Sequence, residues 1–139
     1  MRKVILDIDT LSEAFKQQNS GITLRAKAYS HVHPLLVYTS VSVVEMLSGL
    51  YAKDARKQLS KAVAFLERHD QIVPQPIDYK PAAQIVGALI RQGRPIGTED
   101  PLIAACAINR NLPVATGNTR HYQYVVDAGF PLEQENWRE

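Results

Sequence analysis

Carboxylate and amide side chains stand at the points where the apolar segments of this sequence begin or end. Asp7 and Asp9 follow the strand-like residues 4–6, Glu45 follows a second apolar segment, Glu99 and Asp100 open a helix-like one, and Asn118 follows a third. In a parallel sheet such positions meet at the carboxyl ends of the strands, where α/β folds place their sites. Converging carboxylates repel each other and need a cation, and oxygen ligands without His or Cys favour magnesium or manganese. The pattern therefore predicts metal-assisted chemistry on a phosphate substrate.

Each of these residues also has a purely structural interpretation. Asp9 and Asn118 are good helix-capping residues, and Glu45 has the spacing to close a capping box with Ser42. Glu99 and Asp100 could simply stabilise a helix N-terminus by interacting with the helix dipole. Asp7 is the hardest to explain structurally, because it directly follows a strand whose neighbours are expected to be buried. Taken together, several strand-to-helix junctions that each carry a potential metal ligand favour the functional interpretation.

Strand-like and helix-like segments alternate along the whole chain. The pattern predicts strands over residues 4–6, 36–39, 72–73 and 113–115. Helices are predicted between them, with Asp9 or Thr10, Ser42, Asp54 and Thr98 at their N-termini. This alternation is typical of an α/β fold with a central parallel sheet and helices on both faces. A chain of 139 residues without a long linker predicts one domain over residues 1–139.

The composition excludes several classes of protein. No uncharged apolar stretch reaches about 18 residues and no signal-peptide core is present, so we expect a cytoplasmic protein without a membrane span. Cys106 is the single cysteine, which excludes an internal disulfide, and its apolar surroundings predict a buried thiol. The sequence has no dinucleotide-binding glycine motif, no Walker loop and no serine-hydrolase elbow. A net charge of only +2 does not by itself indicate nucleic-acid binding.

Basic residues and histidines supply weaker candidates. The basic ones are Arg56, Lys57, Lys61, Arg91, Arg94 and Arg120. They either form solvated helix faces or contact phosphates at the rim of an acidic pocket. His121, three residues after Asn118, could face the same cleft, although the expectation for all four histidines is a surface role.

Four segments resemble PIN-domain proteins, in particular the VapC toxins of bacterial toxin–antitoxin pairs. They are ILDIDTL at residues 5–11, SVSVVEMLSG at 40–49, IGTEDPLIAA at 96–105 and VATGNTRHY at 114–122, and residues 132–137 resemble the family's closing strand. The resemblance covers essentially the whole chain, in order and at the family's spacing. Asp9 stands where Asn is common in the family, and Tyr122 where Phe is common.

The resemblance implies a magnesium- or manganese-dependent endoribonuclease. Asp7, Glu45 and Asp100 would hold the metal, and Asn118 would occupy a fourth position that varies between Asp and Asn. Additional site residues would be Asp9, Glu99 and Thr116, and RNA contacts would come from Arg56, Lys57, Arg91, Arg94 and Arg120. The resemblance also implies a homodimer and an antitoxin protein as a partner.

Two alternatives remain open from the sequence. The first is a PIN-like module with a degenerate site that binds RNA or protein, although the three retained acids count against it. The second is a haloacid-dehalogenase-type phosphatase, because residues 7–11, DIDTL, are similar to the aspartyl-nucleophile motif of that family. The match lacks one residue before Thr10, and the sequence has no adjacent pair of aspartates for the family's last motif.

Overall fold

The computed structural model describes all residues from 1 to 139 and contains five strands and seven helices. The strands are β1 (Ile5–Leu6), β2 (Val37–Thr39), β3 (Asp70–Ile72), β4 (Val114–Ala115) and β5 (Gln134–Glu135). The helices are α1 (Ile8–Lys16), α2 (Ser20–Ser30), α3 (Val41–Ala52), α4 (Arg56–Arg68), α5 (Pro76–Arg91), α6 (Glu99–Asn109) and α7 (Thr119–Asp127).

The five strands form one sheet in the order β3-β2-β1-β4-β5, and every neighbouring pair is parallel. Ile5 of the central strand pairs with Val37 on one side and with Val114 on the other. The chain runs outward from β1 to β3 and then crosses back to β4, so the strand order reverses at β1. In open α/β sheets a cleft forms at the carboxyl ends of the strands at such a reversal. The predicted α/β architecture with a central parallel sheet is confirmed.

Two hydrophobic clusters cover the two faces of the sheet. Successive strand residues point to opposite faces, so Leu6 and Ala115 pack against α1 to α4, whereas Ile5 and Val114 pack against α5 to α7. All four of these side chains are fully buried. Because both faces are covered, the central strands β1 and β4 read as continuous apolar runs rather than as alternating ones.

Helix α6 is buried along most of its length, as its sequence predicts. Its buried residues are Pro101, Ile103, Ala104, Ala105, Cys106 and Ala107. Burial raises the pKa of the Cys106 thiol to about 11, which makes it an unreactive core residue. Because α6 cannot shift without disturbing the core, its first turn is a fixed platform for the acids at residues 99 and 100.

A buried ion pair fixes α5 against the far end of α6. Asp78 is fully buried and accepts hydrogen bonds from Arg110 at 3.0 Å, from Asn109 at 2.8 Å and from the backbone N–H of Gln75 at 2.8 Å. Burial alone would raise the pKa of Asp78. The hydrogen bonds outweigh this effect and hold the pKa at about 2, and the largest contribution among them comes from Arg110. The carboxylate is therefore charged, and it is paired within the core.

Helix α1 begins closer to β1 than the sequence indicates. Asp7 is its N-cap, and its Oδ1 accepts a hydrogen bond from the backbone N–H of Ile8 at 2.9 Å. Asp9 and Thr10 lie inside the helix, and Thr10 is buried. The predicted cap at Asp9 or Thr10 is therefore wrong, because the chain turns directly from strand to helix at Asp7.

Two other predicted helix starts are also wrong. Ser40 precedes α3, so Ser42 lies buried within the helix and forms no capping box. Ala55 precedes α4, while Asp54 adopts a left-handed conformation with φ of 50°. Thr98 does precede α6 as predicted, although its side chain makes no capping hydrogen bond. Strand β3 begins at residue 70 rather than 72, because it pairs with the whole of β2.

None of the seven helices combines the length and the apolar character that crossing a membrane requires.

Candidate active site

A polar cavity of about 560 Å³ opens at the carboxyl ends of the central strands, where the strand order reverses. Its lining residues are Asp7, Ile8, Asp9, Glu45, Ile96, Gly97, Thr98, Glu99, Asp100, Asn118 and His121. The cavity therefore collects all five acids that the sequence singles out, together with Asn118. These residues come from four parts of the chain: the junction of β1 and α1, the first half of α3, the start of α6, and the loop between β4 and α7.

Asp7 lies at the floor of this cavity and is only 2% exposed. Its carboxylate accepts two hydrogen bonds, one from the backbone N–H of Ile8 at 2.9 Å and one from the Thr116 hydroxyl at 3.0 Å. Its backbone N–H donates to the carbonyl of Ala115 at 2.9 Å. Asp7 is thus fixed both by the helix that it caps and by the neighbouring strand β4.

The electrostatic environment of Asp7 is unfavourable for a charge. Burial, then the charge of Asp100, raise the pKa of Asp7 from 3.8 to about 6, against the opposing effect of its two hydrogen bonds. Desolvation and nearby like charges both favour the neutral carboxyl. Two ionised aspartates here therefore need a compensating cation.

Asp9 connects α1 to the loop after β4. Its Oδ1 accepts from the backbone N–H of Thr10 at 2.7 Å, and its Oδ2 accepts from the backbone N–H of Gly117 at 2.7 Å. A Cβ atom on Gly117 would collide with Asp9 Oδ2, so glycine is required for this close approach. Both oxygens of Asp9 are thus already engaged, which assigns it first to holding the loop that carries residues 116–118.

Glu45 and Glu99 form the outer, exposed part of the acidic wall. Glu45 projects from α3 and Glu99 from the start of α6. Partial burial, then the charges of Glu99 and Asp100, raise the pKa of Glu45 above its usual value. This coupling shows that α3 and α6 present their carboxylates to a common space.

Asp100 is held by two side chains from the opposite wall. Its Oδ2 lies 2.9 Å from His121 Nδ1 and 3.2 Å from Asn118 Nδ2. The same Asn118 nitrogen lies 2.9 Å from His121 Nδ1. The Thr116 hydroxyl accepts from the backbone N–H of Asn118 at 2.9 Å, so one threonine orients both Asp7 and Asn118.

Tyr122 lies beneath the acids with an unsatisfied hydroxyl. The side chain is fully buried, and its oxygen has no hydrogen-bond partner of normal geometry. Burial, then the charges of Asp7 and Asp100, hold the pKa of Tyr122 well above its usual value. The hydroxyl therefore stays protonated and is available as a donor on the acidic side of the core.

The donors of this cavity fit a hydrated divalent cation rather than a closed metal cage. No three His, Cys, Asp or Glu side chains converge as a ready ligand set. The available groups are carboxylate oxygens on separate walls, and burial, then the charges of the neighbouring acids, raises the pKa values of Asp7 and Glu45. Magnesium commonly keeps several waters and is held by one or two carboxylates, which matches this arrangement.

The basic residues that the sequence singles out do not line the acidic cavity. Arg56 pairs with Asp54 at 3.2 Å. Arg94 pairs with Asp127 at 3.9 Å and lies over the ring of Tyr124. Lys57, Arg91 and Arg120 are exposed.

A second cleft, of about 510 Å³, adjoins the acidic cavity and carries a different set of cations. The two spaces share Ile8 and Glu45, and the second is also lined by Lys16, Lys53 and Lys61. These lysines come from the end of α1, the end of α3 and the middle of α4. Of the three, only Lys61 is among the basic residues that the sequence indicates as candidates.

His121 takes the less favoured of the two positions that the sequence left open for it. It was expected at the surface, but it lines the cavity and contacts Asp100. Its spacing of three residues from Asn118 was the available signal, since residues i and i+3 lie on one face of a helix.

Comparison with known proteins identifies the class to which this fold and cavity belong. The model of the PIN domain family matches residues 4–127. A curated relative, the tRNA(fMet)-specific endonuclease VapC of Shigella flexneri, is 33% identical over 143 aligned positions that cover 99% of each chain. The chain therefore belongs to the PIN domain family, within its VapC group. This membership rules out the dehalogenase-type phosphatase alternative.

Solved structures agree with this assignment. The chain superposes on VapBC-1 from nontypeable Haemophilus influenzae with a TM-score of 0.79 and 25% identity, covering 98% of each chain. It superposes on DNA-bound VapBC from Salmonella typhimurium with a TM-score of 0.80 and 24% identity, covering 99% of each chain. The second likeness shows the fold alone.

Proposed function

We propose that this chain is a divalent-metal-dependent endoribonuclease and the toxin of a toxin–antitoxin pair. The observation that carries the proposal is the gathering of five acids at the strand reversal of a PIN domain, with Asp7 buried among them. The Shigella relative, similar over its full length, is named as an endonuclease.

Within this proposal Asp7, Asp100 and Glu45 hold the cation, directly or through water. A bound Mg²⁺ or Mn²⁺ supplies an activated water and neutralises charge on the scissile phosphate. Thr116 keeps Asp7 in place, and Asn118 orients the attacking water or a metal-bound water. Asp9 and Glu99 are additional site residues. Asp9 acts by holding the loop of residues 116–118, and Glu99 lies at the open rim of the cavity.

RNA is proposed to approach across the lysine-lined cleft. Lys16, Lys53 and Lys61 can neutralise phosphates on a strand whose scissile bond reaches the adjoining acids. The five basic residues predicted from sequence, Arg56, Lys57, Arg91, Arg94 and Arg120, remain candidate contacts for more distant parts of the substrate. Because the Shigella relative is named as tRNA(fMet)-specific, tRNA(fMet), the initiator tRNA, is the first substrate to test.

Two protein partners belong to the proposal. An antitoxin would close the acidic cavity, and an Arg fork is suited to the carboxylates of Asp7 and Asp100 because it pairs with carboxylates bidentately. A second copy of the chain would form a homodimer, for which exposed apolar side chains such as Val44 and Tyr51 on α3 are available. Action on cellular RNA would place the protein in the cytoplasm.

The proposed activity is tested by metal removal and replacement. Purified protein is treated with a chelator, dialysed and incubated with initiator tRNA, with and without added Mg²⁺ or Mn²⁺. We expect cleavage only after metal is restored. Full cleavage in the chelated sample would contradict metal dependence. If the folded protein cleaves neither this tRNA nor total cellular RNA with metal present, the degenerate binding module becomes the better account.

A further inference from the structure

Three polar atoms from two helices and a loop form a small triangle at the rim of the acidic cavity. Asp100 Oδ2 to His121 Nδ1 is 2.9 Å, His121 Nδ1 to Asn118 Nδ2 is 2.9 Å, and Asn118 Nδ2 to Asp100 Oδ2 is 3.2 Å. The His121 side chain is 29% exposed and that of Asp100 is 19% exposed, so the triangle is reachable from the cavity.

Hydrogen bonding alone cannot satisfy this triangle when Asp100 is a carboxylate. Asp100 only accepts, so both His121 Nδ1 and the Asn118 amide must donate to it. Two donors then face each other across the 2.9 Å edge between His121 and Asn118. If the His121 tautomer or the Asn118 amide orientation is changed so that this group accepts from its neighbour, the same atom presents a lone pair to the Asp100 carboxylate. Every choice of tautomer and amide orientation leaves one of the three edges repulsive.

A divalent cation removes this conflict because it attracts all three groups at once. Adjacent ligands around an octahedral ion with bonds of about 2.1 Å lie about 3.0 Å apart. The three edges of the triangle have this length. Rotation of the Asn118 amide exchanges its nitrogen for its oxygen at the same point, and the neutral imidazole then presents its Nδ1 lone pair with the proton on Nε2.

We propose that Asp100, Asn118 and His121 form one face of a divalent-cation site, and that His121 makes this site select Mn²⁺ or a later first-row ion over Mg²⁺. Imidazole nitrogen is a good ligand for first-row transition ions, whereas Mg²⁺ prefers oxygen throughout. The inference rests on the proposed metal-dependent function. It adds His121 as a ligand, makes Asn118 a direct ligand rather than a residue that only orients water, and adds a metal preference. The other carboxylates, those of Asp7, Asp9, Glu45 and Glu99, line the same cavity.

Pulsed electron paramagnetic resonance of Mn²⁺ bound to the full chain tests the nitrogen ligand without RNA. We expect coupling to a directly coordinated imidazole nitrogen in the parent protein. His121→Gln should lose this coupling and lower the ratio of Mn²⁺ to Mg²⁺ affinity by about tenfold or more, measured by titration calorimetry. His31→Gln is the matched control, because His31 is exposed and lies outside the cavity, and it should change neither quantity.

A second variant keeps the test decisive if His121→Gln fails to fold. Asn118→Asp replaces a neutral amide by a carboxylate of the same shape, so it should tighten Mn²⁺ binding and keep the nitrogen coupling. Absent coupling in the parent protein, or an unchanged affinity ratio in folded His121→Gln, would overturn the inference. Absent coupling together with Mg²⁺-dependent RNA cleavage would leave the nuclease standing. Coupling without RNA cleavage would support the cation site and contradict the nuclease.

Discussion

At the scale of single residues, Asp7 performs three tasks with one side chain. It caps α1, accepts the Thr116 hydroxyl and faces the other acids of the cavity. The first two tasks require only a polar group of this shape. The third needs the negative charge, which costs free energy in the absence of a cation because the site is buried. This separation allows the charge to be tested without disturbing the local structure.

Asp7→Asn should therefore stabilise the metal-free protein. The pKa of Asp7 is about 6 in the folded chain and near 3.8 when unfolded, so the folded state holds the extra proton between those values. Stability consequently falls as the pH rises through this window, by up to about 3 kcal/mol for a shift of this size. We expect the variant to gain about 1–3 kcal/mol at pH 8, and the gain to shrink as the pH falls from 6 towards 4.

Urea denaturation in chelator across this pH range measures the effect. Asp54→Asn is the matched control, since Asp54 is exposed and its left-handed backbone also suits asparagine. A gain for Asp7→Asn that does not depend on pH would contradict the account of a strained charge.

At the scale of elements, α6 carries Asp100 into the cavity with its first turn, and its other end is anchored in the core. The anchor is the pair between Asp78 and Arg110, which joins the start of α5 to the end of α6. The fully buried Asp78 has no exposed face through which water could replace a lost partner. The position of Asp100 thus depends on an ion pair at the opposite end of its helix.

Arg110→Ala should destabilise the protein by about 3 kcal/mol, because it leaves a buried carboxylate without its main partner. Urea denaturation at pH 7 measures the loss. The low pKa of Asp78 implies that the contribution of this pair is present above about pH 4 and fades as the pH falls towards 2. Arg91→Ala, at an exposed position at the end of α5, should be nearly neutral. Equal stability of the two variants at pH 7 would show that the pair does not anchor α6.

Three helices each contribute one lysine to the cleft beside the acids. The effect of these lysines on RNA binding can be measured. Replacing Lys16, Lys53 and Lys61 by Ala together should weaken binding of catalytically inactive protein to RNA and flatten its dependence on salt. Each lost phosphate contact reduces the slope of log affinity against log salt by about 0.7 for a single strand. Lys80→Ala, on the exposed surface of α5, is the control. An unchanged salt dependence in the triple variant would place the RNA elsewhere.

At the scale of the whole molecule, the charges are segregated although the net charge is only +2. Five of the fourteen acidic side chains lie together at the carboxyl edge of the sheet, and three lysines line the cleft next to them. A protein partner that closes this edge must therefore be basic where it meets the cavity. An oligomer must use another surface if the cavity is to remain open to RNA.

Light scattering tests the proposed partners. We expect the purified chain to have the mass of a dimer, and the product of the adjacent reading frame to bind it and inhibit cleavage. A chain whose cleavage is insensitive to that product would be a free-standing nuclease rather than a toxin. A monomeric mass at micromolar concentration would contradict the homodimer only.

The sequence predicted the parts of this molecule that local patterns control. Short apolar runs, followed by acids after β1 and by Asn118 after β4, located both strands and the cavity, because strand ends in a parallel sheet meet at one edge. The predicted helix starts were less accurate. Asp7, Asp9 and Thr10 are all suitable N-cap residues for α1, and only the tight turn after β1 selects Asp7. The contact of His121 with Asp100 depends on how α7 packs beside α6, and the lysines of the cleft come from three separate helices. Neither is visible in a local pattern.

The measurement that tests the central claim most directly is RNA cleavage by Asp7→Asn beside Asp54→Asn. Both variants remove one carboxylate and keep its shape, but only the first removes it from the cavity floor. With saturating Mg²⁺ or Mn²⁺ and folding verified for each, we expect Asp54→Asn to cleave like the parent chain and Asp7→Asn to lose at least about two orders of magnitude in rate. Cleavage by purified Asp7→Asn at the parent rate, with contaminating nuclease excluded, would contradict the assignment of this cavity as the active site.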